Sequence, residues 1–413
     1  MVGQGSAYGW VLDRWRLACR SLIVQHTAVA CTPLVPVVPV PQLEVRLVET
    51  AREDDAFLRL PWRIYDGDPR WVPPLMSVQA ELVGFRRHPF YDDARCQALL
   101  AQRGGDVVGR VAAIVNGTHQ KLHDDGCGFF GFFECMDDGE AASALLAAAK
   151  DWLKGQGCRI ARGPFSPSVN YESGLLVEGC NRPPAFLAAY NPPYYAGLIE
   201  SEGFRKKWDL LGFEVERSMY AGRDPKLAFI TDEALRRSGA KLRQFDRRRM
   251  ARDIGLFFDL YNQTLDSIPF FTPMSPREIA AATSWLKMLT APELTAIAEV
   301  EGRPVAVLYG LPDYNPIQRT LNGRMGTLGA IRWWWNRRRF SKVRFFSINV
   351  LPEFHAWGLG LALFRNVMQD GLALGLAAAE LSWVLESSQL SRGSLERGGA
   401  VHTKTWRIYE AEL

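Results

Sequence analysis

Apolar and polar positions alternate from Leu43 to Val48, then switch to a helical period from Ala51 to about Tyr65. Beyond the turn-rich stretch Asp68-Pro69-Arg70-Trp71-Val72-Pro73-Pro74 come three strand-like runs, Cys96 to Gln102, Val107 to Val115 and Gly128 to Glu134. Gly104-Gly105 forms a hairpin turn between the first two. An alanine-rich helical run spans Glu140 to Gly155, followed by a short strand at Arg159 to Arg162, a helix at Ala196 to Glu202 and a closing strand at Gly212 to Val215. A similar order recurs. Helix Pro225 to Ser238 leads to strand Leu242 to Phe245, helices within Asp246 to Asp266 and Pro276 to Leu289, and a hairpin of Leu294 to Val300 with Pro304 to Leu311. Strand Val343 to Val350, a helix from Leu359 to about Gly375, strand Ala379 to Leu385, helix Leu390 to Arg397 and strand Lys404 to Tyr409 complete it. This recurrence predicts an α/β (α+β) chain of two tandem units, 43–216 and 217–413, each a mixed, mostly antiparallel twisted sheet flanked by helices. Residues 1–42, with four prolines from Pro33 to Pro41, read as a disordered leader; Leu22 to Ala30 is faintly like an export signal, interrupted by Gln25 and His26.

The second unit carries the most suggestive local chemistry. Strand Val343 to Val350 stops before Pro352, passes Gly358 and Gly360, and opens a helix at Leu359. The first amides of a helix have no intrahelical partners and sit at the positive end of its dipole, so such a terminus accepts an anion. Glycines there let a pyrophosphate approach the backbone; equally, they could serve only to relieve strain in the turn.

Composition narrows the partners. A charged fraction of 23%, an apolar fraction of 47% and a net charge of +4 over 413 residues describe a globular chain with no charge-based signal for nucleic acid. No apolar run reaches the ~20 residues of a membrane span. Seven cysteines, all within the first 180 residues and without a CxxC pair, fit reduced thiols and a cytoplasmic setting. Six scattered histidines give no metal-ligand spacing, so no metal site is expected.

His355-Ala356-Trp357-Gly358-Leu359-Gly360, after the fourth strand of the second unit, resembles the acetyl-CoA loop of the GNAT superfamily of N-acetyltransferases. The tail Leu381 to Glu386, Leu395 to Gly399 and Trp406 to Glu410 resembles that family's fifth strand, fourth helix and closing hairpin. From about residue 43 the whole chain is similar to a bacterial group of uncharacterised tandem GNAT-like proteins, through Asp68 to Pro74, Gly131 to Cys135 and Asn191 to Tyr195. The resemblance implies two tandem GNAT-like domains, with acetyl-CoA or a longer acyl-CoA as co-substrate and a small-molecule or peptide amine as acceptor. Asn349, Val350, Leu351, His355, Ala356, Trp357, Gly358, Leu359, Gly360 and Leu361 would bind the CoA. His355 stands where the family has Gln or Arg. Ser388 and Leu395 stand where many members have Asn and Tyr, so a degenerate protein that binds CoA or a partner without turnover is the alternative. The first unit has Met136-Asp137-Asp138-Gly139-Glu140 in place of the loop, and those acids would repel a pyrophosphate.

Glu386, at the end of the fifth strand, is the candidate base for the amine, with Ser388 and Tyr409 as further catalytic candidates and Glu353 as a second carboxylate. Glu386 reads equally as a solvated strand-end carboxylate, and Tyr409 as packing. Asn170-Tyr171-Glu172 and Asn191-Pro192-Pro193-Tyr194-Tyr195 would line a pocket or form rigid turns. Ile331 to Arg344 joins Trp333, Trp334 and Trp335 to six cations: it could make peripheral membrane contact, stack on nucleic acid or steer the anionic CoA, or it is an amphipathic connector with its tryptophans in the core and its arginines in water.

Overall fold

The protein is described by a computed structural model covering residues 42–221, 225–266 and 268–413. The leader expected over residues 1–42 lies almost wholly outside the described residues. Thirteen strands form one sheet. They are β1 (Leu43–Leu47), β2 (Ala94–Arg103), β3 (Asp106–Asn116), β4 (Cys127–Cys135), β5 (Ile160–Gly163), β6 (Leu175–Glu178), β7 (Arg205–Glu216), β8 (Lys241–Arg243), β9 (Thr295–Val300), β10 (Arg303–Pro312), β11 (Lys342–Val350), β12 (Ala378–Leu385) and β13 (Val401–Glu412). The helices that matter below are α1 (Ala51–Ile64), α2 (Gly139–Gly155), α3 (Pro225–Ser238), α4 (Met250–Thr264), α5 (Pro276–Leu289), α6 (Thr327–Asn336), α7 (Leu359–Ala373) and α8 (Gln389–Arg397). Their starts follow the residues: Thr50 with Glu53, and Ser275 with Glu278, close capping boxes on α1 and α5.

The strand order, β1-β2-β3-β4-β5-β13-β7-β12-β11-β10-β9-β8 with β6 against β13, crosses the boundary between the two sequence units. The last strand of each unit is exchanged. β7 pairs with β12 of the second half, and β13 pairs with β5 of the first. Burial follows the exchange: Phe213 and Val215 of β7 enter the second-half core, while Tyr409 and Ala411 of β13 enter the first-half core. β7 begins seven residues before the expected Gly212, at Arg205. Its charged start reads as loop, but in the sheet it is matched across strands, Lys207 to Glu410 at 2.9 Å and Asp209 to Arg407 at 2.9 Å. Because the cores interpenetrate, neither 43–216 nor 217–413 should fold alone. Losing β13 exposes two strand edges and removes Trp406, Ile408 and Tyr409, each fully buried and worth about 1.5–3 kcal/mol, a large share of a total of about 5–15. Expressed separately the halves should lack cooperative melting by circular dichroism; co-expressed, they should co-purify as one folded complex.

Among the described residues all sheet pairings are antiparallel except two, β4 with β5 and β11 with β12. The β11–β12 pairing runs only from Lys342–Ala378 to Phe345–Leu381. Beyond it β11 stays with β10 as far as Val350, and β12 stays with β7 as far as Leu385, so the sheet opens into a wedge. The β4–β5 pair diverges likewise after Phe129–Arg162, but that gap is filled by the chain itself. There a Cβ at Gly131 would lie 1.7 Å from the Phe165 carbonyl oxygen, and Phe132 N–H donates to Ser166 Oγ at 2.9 Å.

Candidate active site

The wedge in the second half leads directly to the predicted loop. Pro352–Trp357 is a turn of 3₁₀ helix, and Gly358, at φ +75°, takes the left-handed conformation that starts α7. A side chain is disfavoured at that φ, which accounts for this glycine. Gly360 is different: a Cβ there would meet only Ile348 and Val350 methyls at 3.5 and 3.7 Å, so protein packing does not demand glycine. No side chain caps α7, and its first amides remain open. Leu351 N–H donates to Val305 O at 2.9 Å, so by the two-residue period of an antiparallel pair the Val350 N–H and C=O point away from β10, to the wedge side. The Val350 carbonyl is met by His355 Nε2 at 2.8 Å, which ties the loop to the strand end. Asn349 is buried; its Oδ1 accepts from Thr264 and Ser347, and its Nδ2 has no partner.

The equivalent place in the first half is chemically opposite. Asp138 caps α2, its Oδ1 accepting from Ala141 N–H at 3.0 Å, and Arg103 binds both Asp138 and Glu140. A carboxylate of the chain thus occupies the position that an anion would take at α7.

A cavity of about 2760 Å³ joins the wedge to the first half. Both diverging strand ends line it, Phe346 to Ile348 and Ser382 to Leu385, with Gly358 and Gly360 at one end. Most of its wall is aliphatic or aromatic. The carboxylate of Glu172 faces it beside the wedge without any hydrogen bond or ion pair among the described residues; Glu81 lines the outer part of the first-half wall. Glu172 lies in the second strand of a two-stranded turn, 165–166 with 172–173, paired with Ser166, that carries first-half chain across to the wedge. By surface area this side chain is exposed, opening into the cavity, while protein packs around that space. The protein packed around it pushes its carboxyl up to about 7, helped by Glu134, with Arg110 and Arg344 pulling it down. Arg344 lies where the strands part, its Nε donating to Ser382 Oγ at 3.0 Å; Ser382 Oγ in turn donates to Glu380, and Lys404 Nζ reaches Glu380 at 2.6 Å. Glu134, by contrast, is held by the Tyr65 and Tyr195 hydroxyls at 3.0 and 2.7 Å.

The sequence-predicted catalytic residues scatter. Glu386 is outside the cavity lining; one oxygen accepts from Lys206 Nζ at 2.6 Å and the other from the Asp209 amide at 2.9 Å. Tyr409 is fully buried in the first-half core, its hydroxyl donating to Glu200 at 2.8 Å. Ser388, just before α8, does line the cavity, 3.0 Å from the Ser391 hydroxyl, and Leu395 lines it from α8 itself. Glu353 pairs with Arg303 at the surface. Asn170 and Tyr171 also reach the cavity, bonded to Tyr261 and Glu278. Glu172 stood in the sequence only as one polar residue of a possible pocket loop, with no sign that the fold would bring it to the wedge.

One expectation needs correction. The tryptophans of 333–335 are not all core: Trp333 packs against Tyr314 with the rings tilted and their centroids 4.6 Å apart, but Trp334 and Trp335 are 61% and 77% exposed. Scattered in sequence, His119, Asp125 and Cys127 nevertheless converge within 4.8 Å. Arg162 already binds Asp125 at 3.0 Å, and burial pushes the Cys127 thiol up and His119 down to about 4, so the trio is an internally bonded core cluster with a cation against it.

No protein-family model matches the chain. It is 31% identical over 364 residues to protein YghO of Escherichia coli (strain K12), covering 87% of this chain and 92% of that protein. It is 30% identical over 378 residues to the bacterial ceramide synthase of Caulobacter vibrioides (strain NA1000 / CB15N), covering 90% and 98%. Among solved structures, a tandem GNAT protein from the clavulanic acid biosynthesis pathway superposes with a TM-score of 0.52 at 12% identity, over 90% of this chain and 98% of its own. At that identity the likeness establishes the fold alone.

Proposed function

The chain belongs to the family of YghO and the Caulobacter bacterial ceramide synthase and has the tandem GNAT fold, and from that premise we propose that it is an acyl-CoA-dependent N-acyltransferase whose acceptor is a long-chain amine. The observation that carries this reading is the continuous apolar cavity from the open α7 terminus, past the wedge, to Glu172. Its volume is well above the roughly 300–1,000 Å³ of ordinary small-molecule pockets, enough for two chains rather than one polar acceptor. A ceramide is the amide of a long-chain amino alcohol, so the Caulobacter relative's name agrees in chemical class with what such a cavity would hold.

In this reading the amides at Gly358 to Leu361 hold the CoA pyrophosphate, and the Val350 N–H donates to the thioester carbonyl. Glu172 takes a proton from the acceptor ammonium or amine. Nitrogen attacks the acyl carbon, the C–S bond breaks, and the sulfur leaves as thiol with a proton returned through the cavity, where the Ser388 hydroxyl at the start of α8 is the donor. The absence of a tyrosine at Leu395 makes Ser388 the residue to test for that step. Thiol release from acetyl- and palmitoyl-CoA, followed with a panel of polar and long-chain amines, tests the whole proposal. Release that depends on a long-chain amine supports it. Tight acyl-CoA binding with no release on any amine favours the non-catalytic alternative.

A further inference from the structure

We propose that the face built on α6 docks on an anionic lipid bilayer and feeds the cavity from it, a proposal that rests on the long-chain reading above. Leu328, Ile331, Trp334 and Trp335 recur at helical spacing on the outer side of α6 and are 80%, 55%, 61% and 77% exposed. Trp333, on the opposite side, anchors the helix to the core. From Tyr314 to Pro352 the sequence holds eight Arg or Lys residues and no Asp or Glu. Arg324, Arg332, Arg338 and Arg339 are exposed, and none of them forms an ion pair among the described residues; Arg337 lies over the Trp334 ring at 3.5 Å.

An interfacial helix combines these parts: tryptophan and aliphatic side chains on one face, arginines around it, and no length to span the membrane. The charge complements anionic headgroups and opposes a second copy of the same face. Leu328 and Ile331 offer nothing to a nucleic-acid surface, whereas they suit acyl chains. Continuity with the site supplies the reason for docking. Met325 and Trp334 are both exposed on this face and line the cavity, as does Leu390 of α8, 82% exposed. A long-chain amine can therefore pass from bilayer to wedge without its chain crossing water.

The test is co-sedimentation of the full chain with vesicles of phosphatidylcholine alone or mixed with phosphatidylglycerol, at low and high salt. Binding to the mixed vesicles at low salt, weakened at high salt, is expected. Trp334→Gln with Trp335→Gln, and Arg338→Glu with Arg339→Glu, should each lower it at least about tenfold while far-UV circular dichroism is unchanged. Equal binding by both variants, salt-independent binding to neutral vesicles, or binding to a single-stranded oligonucleotide but not to vesicles overturns the proposal. Sedimentation needs no turnover, so the two readings fail separately: vesicle binding without acyl transfer sinks the activity, and transfer to amines in detergent without vesicle binding sinks the docking face.

Discussion

Glu172→Gln should lower turnover by about 10²- to 10⁴-fold, the range for loss of a positioned general base, with acyl-CoA affinity unchanged. The base must be deprotonated to act, and the protein packed around it, with Glu134, pushes its carboxyl up to about 7. In the wild type, kcat/KM should therefore fall about tenfold per pH unit below about 7, and the variant should lose that limb. The same shift marks stability. A carboxyl with a folded-state pKa above its unfolded value stabilises the fold below the unfolded value, and this is lost as pH rises through about 7. Removing the ionisation should then raise Tm at pH values above about 7 and leave it unchanged in the acid range, below the ordinary carboxylate value near 4.3. A structural residue would show neither the lost pH limb nor this pattern. Glu386→Gln is the informative control: it breaks a contact to Lys206, partly exposed, and should leave the pH profile intact.

Gly360→Asp should abolish acyl-CoA binding without unfolding the protein. Its Cβ has room beside Ile348 and Val350, and aspartate in the first turn of a helix is favourable, so α7 should be no less stable. The new charge would sit against the pyrophosphate; at about 4 Å in a partly screened site the repulsion is on the order of 4 kcal/mol, roughly a thousandfold in Kd. Calorimetry with acetyl-CoA measures it. Gly139→Asp, at the corresponding helix start of the first half, should leave Kd as it was, because Asp138 already fills that terminus. Equal loss in both variants would mean that the anion does not sit at α7.

Much of this arrangement is legible in local pattern, and the rest is not for identifiable reasons. The strand before Pro352 and the helix from Leu359 follow from apolar spacing and the two glycines, and observed bounds agree within about two residues. Strand exchange leaves no local trace, because β7 and β13 would show the same alternation wherever they paired. Charge hid the start of β7, since Arg205-Lys206-Lys207 is polar until the strands beside it supply Glu386 and Glu410. A carboxylate's role depends on what surrounds it: Glu386 and Glu172 are indistinguishable as letters, yet one is doubly bonded and the other is left unpaired facing a cavity. Helix α6 misled in another way, for its tryptophans resemble core residues by type, and only the fold turns two of them outward.

We propose, then, that acyl transfer to a long-chain amine takes place within this one cavity. It is tested most directly by kcat/KM for a series of amino alcohols of increasing chain length, presented in detergent with a fixed acyl-CoA and scored by mass-spectrometric detection of the amide. The cavity predicts a rise with each added methylene, about 0.8 kcal/mol or close to fourfold per buried CH₂, until the chain fills the space. A flat series, or faster reaction of short polar amines, would contradict it.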